Sequence, residues 1–153
     1  MSRIYFRDFF MINFNGNLVD NKQMLSVDNR GFNYGDALFE TIKTSHGKLL
    51  FWEDHYFRLM ASMRIMRMDI PMHFTMEFLE EQSQKTLIAN QLEKASARVK
   101  LMVQRNEGGL YLPDNNSVNF IITAQIVKDE FYLLKDAFYE IDLFKDYFIP
   151  PSL

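Results

Sequence analysis

The stretch from Asp28 to Arg58 constrains the fold of this chain more than any other. It opens as a glycine-punctuated loop, Asp28-Asn29-Arg30-Gly31-Phe32-Asn33-Tyr34-Gly35-Asp36, and runs into the segment Ala37 to Thr44. There Leu38, Glu40 and Ile42 share one face and Phe39, Thr41 and Lys43 the other, which is the period of a strand. Ser45-His46-Gly47 turns the chain, and Lys48 to Phe51 is expected to pair back. A helix follows from about Asp54 to Met66. Asp54 is its expected N-cap, and Tyr56, Leu59, Met60 and Met63 recur on its core side. A loop with two glycines, two aromatics and two acids is costly to order, so it is expected to do a job.

The rest of the chain continues in the same units. Phe9 to Phe14 is an aromatic-rich strand, Asn15-Gly16 is a hairpin turn, and Asn17-Leu18-Val19 returns beside it. Asp20 to Asp28 is a polar connection. Ile70-Pro71 closes the first helical unit. Thr75 caps a second helix running to about Asn90, with Phe78, Leu79 and Leu87 inward and Glu77, Glu80 and Glu81 near its positive end. Val99, Leu101 and Val103 alternate with Arg98, Lys100, Met102 and Gln104, giving a strand with one core face and one mostly polar, basic face. Arg105 to Asn116 is a loop. Val118 to Ala124 reads as a central strand, and Phe131 to Leu134 and Phe138 to Phe144 as edge strands. The layout is α+β: two helices packed on one face of a mostly antiparallel sheet.

Composition narrows the function classes. The 153 residues suit one domain with a real core. Seventeen basic against 20 acidic residues give a net charge of −3 and no basic patch, so nucleic acid is not an expected partner. Without cysteine there is no disulfide framework and no thiolate chemistry. The apolar runs are too short to span a bilayer, and the start lacks a leader pattern, so the protein is expected to be soluble and cytoplasmic. His46 and His73 lie in turns and make no metal spacing, and no metal site is expected.

The residues Asp28, Arg30, Gly31, Tyr34, Gly35, Asp36, Phe39, Glu40 and Thr41, followed by His55, Arg58 and Leu59, carry a resemblance. The order and spacing resemble the class IV aminotransferases, pyridoxal-phosphate enzymes of fold type IV. That family includes branched-chain and D-amino acid aminotransferases and 4-amino-4-deoxychorismate lyases. Ala37 departs from the family's usual glycine and Lys43 from its common arginine. The resemblance continues weakly through Ala97 to Lys100 and Gly108 to Tyr111. It implies that residues 1–149 form the small N-terminal domain of such an enzyme and that 150–153, with Pro150-Pro151, begin an interdomain linker. The lysine that carries the cofactor would belong to a second domain beyond this chain. Lys145 lies too early and lacks the expected flanking residues, so no catalytic residue is assigned within the chain.

The resemblance also assigns roles. It makes Arg58 the anchor of the cofactor phosphate, a task suited to two parallel charge-assisted bonds from a guanidinium. Read alone, Arg58 is a solvated helix arginine. Tyr34 and Phe39 match positions that line the substrate pocket, Tyr34 acting across a homodimer interface; ordinary packing is the alternative for both. Lys43, Arg98 and Lys100 lie at or near positions that offer cations to substrate carboxylates, the alternative being a solvated strand face. His55 reads as satisfied by local hydrogen bonds, Asp36 as ordering its loop, and Glu40 as structural. The implied function is half of an aminotransferase or lyase acting on an amino acid, keto acid or amino-chorismate. The run Val99 to Gly109 looks closer to the lyase-like members. A stand-alone dimerisation or ligand-binding domain of the same fold is the alternative, and an unrelated small-molecule-binding α+β domain is a third.

Overall fold

The computed structural model describes residues 10–20, 25–128 and 140. Two tight turns frame its sheet. Asn15 and Gly16 take φ values of 50° and 85°, and His46 and Gly47 take 49° and 76°. Paired positive values of this kind match the twist of the strands they join. The first turn links β1 (Ile12–Phe14) to β2 (Asn17–Val19), and the second links β3 (Ala37–Ser45) to β4 (Lys48–Leu49). At Gly47 a Cβ would stand 2.7 Å from the Glu93 carbonyl oxygen, so only glycine fits there.

With β5 (Ala97–Arg105) and β6 (Val118–Ile126) these strands form a six-stranded sheet in the order β2-β1-β6-β5-β3-β4. Every strand pair in it is antiparallel. Two long helices, α2 (Trp52–Ile65) and α3 (Met76–Ala89), cover one face. Their Leu59, Met63, Leu79 and Leu87 meet Ile42, Val99, Leu101, Val103 and Ile122 of the sheet, all essentially inaccessible to solvent. Each such side chain contributes about 1.5–3 kcal/mol by leaving water. This is the α+β layout that the alternation and the helical spacing predict. Thr75 caps α3 as expected, accepting from the Phe78 N–H at 3.2 Å. β6 is central, between β1 and β5.

Three local expectations are corrected. The loop from Asp28 to Asp36 contains a short helix, α1 (Arg30–Tyr34). Asn29 caps it by accepting from the Phe32 N–H at 3.0 Å, and Gly35, at φ 69°, ends it. One helical turn is too short to show a period, so only its cap residues could have given it away. The second helix begins at Trp52, so Asp54 is not its cap. Trp52 is pulled into the core, with its Nε1 donating to the Met76 carbonyl at 3.3 Å, while Phe51 sits at φ 55° and caps nothing. Asp54 stands instead in the first turn, where the helix dipole favours it. The return strand β4 stops at Leu49 because Phe51 has already left the extended region. The expected strands Phe131 to Leu134 and Phe138 to Phe144 fall, Glu140 apart, outside the described residues, as does Phe9.

Candidate functional site

Strand alternation sends Glu40 to the helix-covered face of β3, where its carboxylate is 8 % exposed. A carboxylate there needs donors, and α2 supplies them from residues one helical turn apart. Arg58 donates through Nε to Oε1 at 2.8 Å and through Nη2 to Oε2, a side-on fork. His55 Nδ1 stands 2.7 Å from Oε2. Nδ1 also lies 2.9 Å from Arg58 Nη2. One nitrogen cannot donate to the carboxylate and accept from the guanidinium at once, and the charged partner makes Nδ1–H the favoured tautomer. Burial pushes the Glu40 carboxyl up, but the Arg58 hydrogen bond, then that of His55, and their charges outweigh it and hold it below the usual carboxylate range. The Glu40 hydrogen bond and charge in turn raise Arg58 above its ordinary value.

The Arg58 side chain remains 58 % exposed. Among the described residues nothing hydrogen-bonds its Nη1. A guanidinium held along one edge and open along the other fits an incoming oxyanion, and a phosphate group could take the open edge.

A second arginine site differs. Arg30, on α1, is 1 % exposed. It donates through Nε to Asp36 Oδ2 at 2.9 Å and through Nη1 to the carbonyls of Gly108 and Leu110 at 2.8 and 2.7 Å. Arg105, at the end of β5, reaches the same Oδ2 at 2.9 Å and donates to the Met66 carbonyl at 2.7 Å and to Asn116 Oδ1. The cluster ties α1, the end of α2 and the loop after β5 together, which bears out the reading of Asp36 as loop-ordering. Gly31 lets α1 close on it: a Cβ there would stand 2.8 Å from Ala37 Cβ. Tyr34 packs its ring over the Arg30 guanidinium, 4.7 Å away, and edge-on to Tyr111, with centroids 5.9 Å apart.

The sheet face opposite α2 and α3 holds the remaining candidates. Register pairs Lys43 with Arg98, Thr41 with Lys100 and Phe39 with Met102. Lys43, Arg98 and Lys100 are therefore neighbours on one face. Phe39, 63 % exposed, lies under Lys100, whose Nζ is 4.7 Å from the ring centre. Arg98 donates to Gln125 Oε1 at 2.8 Å from the next strand. Like charges directly opposite each other on a sheet are unfavourable. Three adjacent cations make this face complementary to carboxylates.

Phe39, Lys43, Arg98 and Lys100 thus come together, while Arg58 is joined to Glu40 on the other side of β3 and Tyr34 sits on α1 beside Tyr111. Sequence reasoning missed the grip of Glu40 on Arg58 and the buried roles of Arg30 and Arg105. The alternation of β3 against the period of the following helix could have signalled the first. The second rests on contacts such as Arg105 to Asp36 and Arg30 to Gly108, 69 and 78 positions apart, which no local pattern reveals.

A family model described as amino-transferase class IV matches residues 37–138, well over half of the chain. The D-alanine aminotransferase of Listeria monocytogenes serotype 1/2a (strain 10403S) is 26 % identical over 114 residues, covering 72 % of this chain and 38 % of that protein. The D-alanine aminotransferase of Staphylococcus aureus (strain N315) is 30 % identical over 87 residues, covering 56 % and 30 %. The branched-chain amino acid aminotransferase from Escherichia coli superposes with a TM-score of 0.68 at 25 % identity, over 78 % of this chain and 41 % of that one. The chain spans well under half the length of these proteins.

Proposed function

The chain belongs to the class IV aminotransferase family, and from that premise we propose that it is the N-terminal part of a pyridoxal-phosphate-dependent aminotransferase. Residues 1–149 are its small domain and 150–153 the start of the linker to a second domain that carries the catalytic lysine. The observation that carries the reading is the open edge of Arg58, held by a buried carboxylate and free to bind an oxyanion. The bound cofactor would supply an electron sink for chemistry at an amino-bearing carbon. This chain's residues do the binding and orienting. Arg58 holds the phosphate, and Lys43, Arg98 and Lys100 take substrate carboxylates. Phe39 and Tyr34 line the pocket and keep water from it.

Amino acids and keto acids are the proposed substrates. The matched relatives are named aminotransferases, which favours amino transfer over a lyase reaction. We place Tyr34 at a homodimer interface. Exposed Phe32, Leu110, Tyr111 and Leu112 around it give that surface an apolar character. The test is an amino-transfer assay on the full gene product with pyridoxal phosphate, offering D-alanine and branched-chain amino acids as donors. Transfer to a keto acid is expected, together with loss of cofactor affinity in Arg58→Ala. Cofactor binding unchanged in Arg58→Ala would overturn the phosphate assignment, and absence of both transfer and cofactor binding the whole reading.

A further inference from the structure

We infer that Glu40 is a positioning residue for phosphate recognition, and that Arg58 binds phosphate by aimed hydrogen bonds rather than as a free cation. The inference rests on the reading of Arg58 given above. It begins from a conflict of signs. A carboxylate directly on a guanidinium cancels most of its charge, which should weaken attraction to a phosphate. Asp54, in the first turn of the same helix, adds negative potential at Arg58. If Arg58 acted as a point charge, Glu40 would oppose its function.

The geometry shows what Glu40 supplies instead. Its carboxylate is fixed in the strand beneath the helix, and it holds Arg58 through Nε and Nη2 together. That fork fixes the plane of the guanidinium, because two parallel bonds leave no free rotation about the last torsion. The Nη1 edge is then presented outward. His55 donates to Oε2, so that oxygen, shared with Arg58 Nη2, is also held in place. An exposed arginine without such a hold samples many rotamers, and ordering it on binding carries an entropic cost. Glu40 removes that cost in advance.

The two accounts predict opposite signs for one substitution. Glu40→Gln removes the negative charge while keeping the side chain's shape. If charge dominates, phosphate binding tightens. If aim dominates, it weakens by up to about tenfold, because the guanidinium must then be ordered on binding. Glu40→Asp keeps the charge and withdraws it by one methylene, so charge predicts no change and aim predicts a loss of similar size.

The experiment measures the affinities of the full gene product for pyridoxamine 5'-phosphate and for pyridoxamine, which differ only in the phosphate. The ratio isolates phosphate recognition from ring recognition and from folding. Arg58→Ala is the reference: its failure to lower the ratio would sink the reading of Arg58 itself. Given that it does lower the ratio, a loss of preference in both Glu40→Gln and Glu40→Asp, with pyridoxamine affinity kept, is the expected result. A ratio unchanged or raised in either variant would overturn the positioning role. If Glu40→Gln does not fold, Glu40→Asp decides alone.

Discussion

Two arginine–carboxylate sites stand among the described residues, one around Asp36 and one around Glu40, and they are finished differently. Arg30 has Asp36 on its Nε, and backbone carbonyls take its remaining edges. Arg58 has Glu40 on one edge and none of the described residues on Nη1. The first pair is closed and buried, the second closed on one side only. A buried arginine bonded on every nitrogen holds structure together, whereas one left half-bonded at the surface has a place for a ligand. Family motifs contain both arginines, and only their hydrogen-bond partners separate the two roles.

The largest expected effect falls on the closed pair. Asp36→Asn leaves two guanidinium groups, both nearly inaccessible, without their shared counter-charge. Breaking a buried pair in this way costs about 3–5 kcal/mol, and denaturant unfolding will show it. Phosphate preference per folded molecule should survive. Arg30→Met should follow at about 1–3 kcal/mol, because the carbonyls of Gly108 and Leu110 lose their donor while Asp36 keeps Arg105.

The open pair inverts the pattern. Arg58→Ala should cost less than Asp36→Asn, about 1–3 kcal/mol, since the guanidinium is mostly in water but the Glu40 carboxylate left behind is buried and keeps only His55. A smaller loss of thermal stability than in Asp36→Asn, alongside lost phosphate preference, would sharpen the contrast. A large loss of stability would erase it.

Acid sharpens it further. The folded Glu40 carboxyl lies below its ordinary value of about 4.3. Its contribution to stability is therefore fully present above that ordinary value and is lost as pH falls through the lower folded value. The stability difference between wild type and Glu40→Gln should be constant from neutral pH down to about 5 and shrink below about 4. A difference that grew on acidification would contradict the assigned direction. The smallest effect belongs to the sheet face opposite α2 and α3. Arg98→Thr relieves the like-charge contact with Lys43 but loses the bond to Gln125, so stability should move by less than about 1 kcal/mol. Carboxylate-bearing substrates should bind more weakly.

The sheet and its two long helices were legible in the sequence because each announces itself locally. Asn15-Gly16 and His46-Gly47 demand hairpins, Thr75 caps a helix, and β3 alternates along its length and β5 from Ala97 to Met102. Those alternations put Lys43 and Arg98 on one face, while their pairing opposite each other is fixed only in the sheet. The short helix α1 was not legible, since five residues carry no period. Nor was the start of α2, where burial of Trp52 overrides the capping preference of Asp54. For the site, alternation turned Glu40 inward, but nothing local said that its partner would be a functional arginine rather than a core group. The Arg30–Asp36–Arg105 cluster depends on contacts closed only in the finished fold.

The most direct test compares pyridoxamine 5'-phosphate and pyridoxamine binding to the wild-type gene product and to Arg58→Ala at equal folded concentration. The account predicts a strong wild-type preference for the phosphorylated form and little or none in the variant, with pyridoxamine binding retained. The same preference in both proteins would show that the open edge of Arg58 is not where phosphate binds.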